Sequence, residues 1–163
     1  MNKQDIYNLL KDNNLWHEIT EHGEVYTMKD LSEIELPYPQ CDAKNILVRD
    51  DKKINYYLIT VKNDKRVDLK DFQNKYNTRR LSFASENDLL NILNLTPGSV
   101  TPFGLLNDEE RKVQFYIDKD FWEGNQIIGV HPNENTATVW IKIDDLIQII
   151  RTHGVKIVIG EFN

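Results

Sequence analysis

The chain has 163 residues, 40% of them hydrophobic, and a formal net charge of −6; that is enough apolar chain for one sizeable core and not comfortably for two. Its one cysteine, Cys41, excludes an internal disulfide and any multi-cysteine metal site, and fits a reducing cytoplasm. The acidic balance excludes a protein that coats nucleic acid by bulk attraction, because phosphate binding rests on Lys and Arg.

In chain order, Ile6, Leu9 and Leu10 recur at the i, i+3, i+4 spacing of one helical face, and Asn13-Asn14 ends that helix. His17 to His22 reads as a short strand before Gly23. Neither histidine has cysteine or acidic partners at ligand spacing, so both read as solvated surface residues and not as a metal site. Thr27-Met28-Lys29-Asp30 has the form of an N-cap, and the helix it opens ends before Pro37-Tyr38-Pro39. Lys44-Asn45 then leads into the apolar run Ile46-Leu47-Val48, which Asp50 to Lys53 join to Ile54–Val61 as a hairpin of central strands. Lys44, at the mouth of the first strand, either snorkels to water or projects into a cleft.

Between Lys62 and Arg80, seven basic residues stand against three acidic ones, a local +4 that leaves −10 for the remainder. A basic patch is one reading of this segment; a solvated helix face with flanking turns is the other. Asp68 is expected to cap a helix through about Tyr76, Leu81 to Ala84 to form a short strand, and Ser85 with Asp88 to cap a helix ending at Pro97.

The stretch from Thr96 to Gly104 concentrates two of the five prolines and two of the seven glycines. Each Pro fixes φ and removes an N–H, while each Gly permits positive φ and close backbone approach. Such a loop can aim amides into a cavity, or serve only as a tight connection after a helix stop. Beyond it come a strand over 112–118, an irregular turn at 121–124, a strand over 126–130, the polar loop His131 to Asn135, and an alternating strand over 136–141. Asp144 is expected to cap a last helix, closed by Gly154, and Ile157-Val158-Ile159 to form a last strand. No run approaches the ~18 apolar residues of a membrane span, and the N-terminus has no signal core; a soluble, intracellular protein follows.

No G-x-S-x-G elbow, phosphate-cradling G-x-x-x-x-G-K-S/T, H-E-x-x-H or Cys/His set occurs. What remains is an ensemble: Lys44-Asn45-Ile46-Leu47-Val48-Arg49-Asp50, Arg80 to Ala84, Pro97-Gly98-Ser99-Val100-Thr101-Pro102-Phe103-Gly104-Leu105, and His131-Pro132-x-x-Asn135-Thr136-Ala137-Thr138. In that order, over nearly the whole chain, these resemble the YbaK-like prolyl-tRNA editing domain family, and most closely its freestanding alanyl-tRNA(Pro) deacylases. The resemblance implies a single α/β (α+β) domain over residues 1–163, with a mixed, largely antiparallel central sheet flanked by helices. It implies hydrolysis of alanine mistakenly attached to tRNA(Pro), with no cofactor, and prolyl-tRNA synthetase as a further partner. By the same resemblance Lys44, Gly98 and His131 are the catalytic positions, and Asn45, Ser99, Val100, Thr101, Pro102 and Asn135 contact substrate. The basic residues Lys65, Arg66, Arg79 and Arg80 are expected against the tRNA. Two rivals stay open: a module that binds aminoacyl-tRNA or an amino acid without catalysis, and a deacylase for another mischarged tRNA such as Cys-tRNA(Pro).

Overall fold

The computed structural model describes residues 1–24, 29–30 and 34–163; the helix expected to open at Thr27 lies outside them. Helix α1 (Lys3–Asp12) starts on a capping box, with the Asn2 side chain accepting from the Asp5 amide and the Asp5 carboxylate accepting from the Asn2 amide. It buries Ile6 and Leu10. Helix α2 (Leu69–Tyr76) is capped by Asp68 and ends on left-handed Asn77. A single turn, α3 (Glu86–Asp88), runs from the Ser85 cap directly into a π-helical stretch at Leu89–Leu93. The expected helix therefore stops at Asn94, which takes a left-handed conformation, before Pro97 is reached.

Strands β2 (Ala43–Asp50) and β3 (Tyr56–Lys62) form the expected hairpin. With β4 (Leu81–Phe83), β5 (Val113–Asp118) and β8 (Ile157–Gly160) they make a five-stranded mixed sheet in the order β4-β2-β3-β5-β8. The pairs β4-β2 and β2-β3 are antiparallel, and β3-β5 and β5-β8 parallel. Strand alternation divides its side chains between two faces. Leu47, Leu58, Phe115 and Ile117 enter the main core, while Val48, Tyr57, Ile59, Val61 and Tyr116 form a second cluster under Phe72 of α2. Both faces being covered, β3 reads as a continuous apolar run, as a central strand should.

A second, antiparallel sheet has the order β1-β7-β6, built from His17–Glu21, Ala137–Lys142 and Ile127–Val130. Its Ile128, Val130, Val139 and Ile141 share the main core with the first sheet. Gly129 is where the side chain must be absent: a Cβ there would overlap the Trp140 ring. Helix α4 (Ile143–Thr152) closes the same core with Leu146, Ile147 and Ile150. Asp144 does not cap it; Asp144 lies in the first turn and accepts from Trp122 Nε1 at 2.7 Å, and Lys142 occupies the cap position.

The two sheets are joined by an isolated parallel bridge between Asp42 and Gly129. That seam, where β2 begins beside the end of β6, positions the candidate site.

Candidate functional site

A cavity of about 180 Å³ opens at the seam, lined by Asp42, Ala43, Asn45, Gly98, Val100, Gly129, Val130, His131 and Thr138. It is smaller than the roughly 300–1,000 Å³ usual for drug-sized ligands, so it suits a small group. A larger groove of about 460 Å³ lies between α1 and α4; it is mostly apolar and contains none of the candidate site residues.

One wall is the loop after the π-helical stretch. Gly98 has φ of +88°, and the Ser99 amide closes the turn by donating to the Thr96 carbonyl at 3.0 Å, as a turn with glycine at its third position requires. The Ser99 amide is thereby consumed, and Gly98 and Val100 are the loop residues that reach the cavity. Thr101, fully buried, fixes the loop to the opposite wall by donating from Oγ1 to the His131 carbonyl at 2.6 Å. Pro102 is buried at the start of a 3₁₀ helix, Pro102–Asn107, and Ser99 and Asn135 are buried as well. Ser99, Thr101, Pro102 and Asn135 thus frame the cavity without lining it.

Asn45 projects from β2 into the cavity and accepts from Thr60 Oγ1 at 2.6 Å through its Oδ1. Its Nδ2 donors are left for an incoming group. Lys44 lies one residue earlier and does not line the cavity. Alternation directs it to the other face of β2, opposite Val61.

His131 donates from Nδ1 to the Ala137 carbonyl at 2.8 Å. That bond fixes the tautomer and leaves Nε2 as an acceptor. Burial holds the imidazole below the ordinary histidine value, and nearby His22 pushes in the same direction, while the Ala137 bond opposes them. His131 is therefore neutral near pH 7.

Two residues at this site, His22 and Asp42, escaped sequence reasoning. His22 is not a solvated surface histidine: its ring meets that of His131 edge-on, centroids 6.1 Å apart, and its Nε2 lies 3.0 Å from Thr138 Oγ1. Because His22 Nδ1 donates to the Gly23 carbonyl at 2.7 Å, Nε2 is the acceptor and the Thr138 hydroxyl the donor. Asp42 is the second. Burial raises its carboxyl to about 7, against a lowering by the Ala43 amide, and its side-chain partner is Asn63 Nδ2 at 3.4 Å. Only long-range pairing could have found them: β1 with β7 for His22, and the bridge to Gly129 for Asp42.

A carboxyl whose folded pKa lies above its unfolded value binds more protons folded than unfolded between those two values. Stability from Asp42 is therefore highest in acid and falls as pH rises from about 4 towards 7. Asp42→Asn is expected to raise the melting temperature at pH 8, by the equivalent of up to about 4 kcal/mol, and to leave it nearly unchanged at pH 4. Melting curves at the two pH values check this; equal effects at both would mean that the carboxylate is not the cause.

The basic residues of the 62–80 segment do not form one free surface. Lys65 points inward onto Asp118 and Asp120 and donates to the Phe162 carbonyl, and Arg79 is held bidentately by Asp51. Arg66 and Arg80 are exposed.

Residues 22–149 match the model of the aminoacyl-tRNA editing domain family. The chain is 38% identical to the prolyl-tRNA editing protein ProX of Acetoanaerobium sticklandii, over 93% of this chain and 92% of that one. It is 31% identical to prolyl-tRNA synthetase associated domain-containing protein 1 of Mus musculus, over 90% and 88% respectively. Among solved structures, a candidate trans-editing enzyme for prolyl-tRNA synthetase superposes with a TM-score of 0.70 at 16% identity, covering 99% of this chain and 97% of that one; this likeness concerns the fold. The family match covers most of the chain and includes every residue that lines the seam cavity, and on that ground the chain belongs to the aminoacyl-tRNA editing domain family.

Proposed function

We propose that this chain is a freestanding cytoplasmic deacylase, residues 1–163 acting as one editing domain, that hydrolyses alanine from misacylated tRNA(Pro). The observation that carries the reading is the small seam cavity, whose lining offers both hydrogen-bond donors and acceptors. A synthetase pocket shaped for proline cannot strongly reject alanine, because each missing methylene changes binding by only about 1–3 kcal/mol. A second sieve must admit alanine and exclude the larger cognate residue. About 180 Å³ admits the alanyl group.

The substrate is an ester between the alanyl carboxyl and a ribose hydroxyl of the terminal adenosine. Water suffices as nucleophile if it is positioned and the tetrahedral oxyanion is stabilised. Asn45 Nδ2 and the Gly98 and Val100 amides supply donors for the carbonyl oxygen. His131 Nε2 accepts a hydrogen bond from the attacking water and orients it. As the water oxygen bonds to the carbonyl carbon, its proton passes to Nε2; when the carbon–oxygen bond to ribose breaks, the same proton returns to the ribose oxygen. Free alanine and intact tRNA leave. The acceptor stem then meets exposed basic side chains such as Arg66 and Arg80, not Lys65 or Arg79, whose charges acids already neutralise.

Lys44 acts on the nucleotide from outside the cavity, holding a phosphate or a ribose oxygen as a compact point charge. Lys44→Ala is expected to lower kcat/KM by roughly 10- to 100-fold, the range for loss of a charged hydrogen bond, mainly through KM. Lys44→Arg should recover only part of it. Unchanged kinetics in Lys44→Ala would remove this residue from the site.

The test of the function is deacylation of Ala-, Cys- and Pro-tRNA(Pro) side by side. Alanine release well above the other two supports the reading. Preference for cysteine would move the specificity, and no release from any ester would leave an aminoacyl-tRNA-binding module.

A further inference from the structure

The acceptors Asp42 and Thr138 that line the cavity have no role in stabilising an oxyanion, and their chemistry is that of a cation site. Among the described residues that line the cavity, none is Lys or Arg, and Asp42 is the one acid. Among the described residues no basic side chain pairs with the Asp42 carboxylate, whose partners are the Asn63 amide and the Ala43 N–H. Lining the same cavity, the Thr138 hydroxyl spends its hydrogen on His22 Nε2, because the Gly23 carbonyl holds the His22 proton on Nδ1. Thr138 Oγ1 therefore turns lone pairs, not a hydrogen, towards the cavity.

The substrate brings one cation. An aminoacyl ester differs from other small acyl esters in its α-ammonium, two bonds from the carbonyl carbon. We propose that Asp42 and Thr138, the latter oriented by His22, receive this α-ammonium and make the cavity selective for an aminoacyl group over any other acyl group of the same size. The inference rests on the deacylase reading above. The carboxylate costs the empty protein stability near neutral pH, as its raised protonation range indicates; a bound ammonium would offset that cost. Thr138 and Asp42 are specificity-determining residues in this account, and His22 is a positioning residue acting through Thr138.

The experiment compares Ala-tRNA(Pro) with lactyl-tRNA(Pro), in which a hydroxyl replaces the ammonium on the same carbon skeleton. Each rate is divided by the spontaneous hydrolysis of the same ester, since the ammonium itself activates the carbonyl. The wild type should prefer the alanyl ester by roughly 10- to 100-fold, the effect expected of one or two hydrogen bonds to a charge. Asp42→Asn should bring the ratio to within about threefold, and Thr138→Val, which keeps the side-chain shape, should reduce it by at least threefold. If Asp42→Asn does not fold, Thr138→Val decides alone. A variant that is folded by its melting curve yet slows both esters in parallel, with the ratio unchanged, would overturn the assignment. A wild type that cleaves both esters equally would overturn it and leave the deacylase intact, whereas a wild type that cleaves neither would overturn the deacylase reading together with it.

Discussion

Gly98→Ala is expected to lower kcat/KM for Ala-tRNA(Pro) by roughly 100- to 1,000-fold, the effect of losing one oxyanion donor, while costing only a few degrees of melting temperature. Gly98 sits at φ +88°, where an L side chain costs about 1–2 kcal/mol. For a domain of this size such a loss shifts melting by roughly 2–8 °C. The chain can relieve that cost by rotating the Pro97–Gly98 peptide, and the rotation swings the neighbouring amides off the carbonyl oxygen. Stability is then partly recovered and the rate is not. The check is kcat/KM beside a thermal melt. A variant that melts early but keeps its rate would show this glycine to serve the turn alone.

The second large effect is at His131. Asn at this position can still donate to the Ala137 carbonyl in place of Nδ1 but has no nitrogen where Nε2 was. His131→Asn should therefore preserve the wall and lose the acceptor, lowering kcat by roughly 10²- to 10⁴-fold with little change in KM, as for removal of a general base. The wild-type rate should also carry an acid limb. Because burial depresses the His131 pKa, that limb should fall below the ordinary histidine value, and activity should hold down to mildly acidic pH before Nε2 protonates. The variant should have no such limb. A variant that instead raises KM and keeps kcat would make His131 part of the wall and not the base.

Local chemistry made much of the fold legible. The apolar run at Ile46-Leu47-Val48 and the Asp68 and Ser85 caps each act within a few residues, and β2, α2 and α3 follow them. The Ser85 helix ended early because Asn94 could adopt a left-handed conformation before Pro97 imposed its own stop. Asp144 failed as a cap because Trp122 offered it an indole N–H, a contact no local pattern contains. The division into two sheets was not legible either. It depends on β1 pairing with β7 across most of the chain, and register of that kind is settled by tertiary packing.

The candidate site divides along the same line. Gly98, Val100, Asn45 and His131 could be singled out from loop chemistry and from resemblance, and they meet at one cavity. Asp42 and His22 could not: a lone Asp before a strand and a His before a glycine are ordinary surface patterns until β1, β2 and β6 bring them to the seam. Lys44 shows the limit of adjacency. It stands between two residues that line the cavity, yet the pleat turns it to the opposite face.

The central claim, that the seam cavity and not the larger groove receives the acylated tRNA end, is tested most directly by nuclear magnetic resonance titration with 3′-deoxy-3′-(alanylamino)adenosine, whose amide resists hydrolysis. The account predicts saturable shifts of the His131 imidazole nitrogens and the Asn45 side-chain amide, with Leu15 and Ile149 of the groove unmoved. Shifts at Leu15 and Ile149 with His131 and Asn45 unchanged would contradict it.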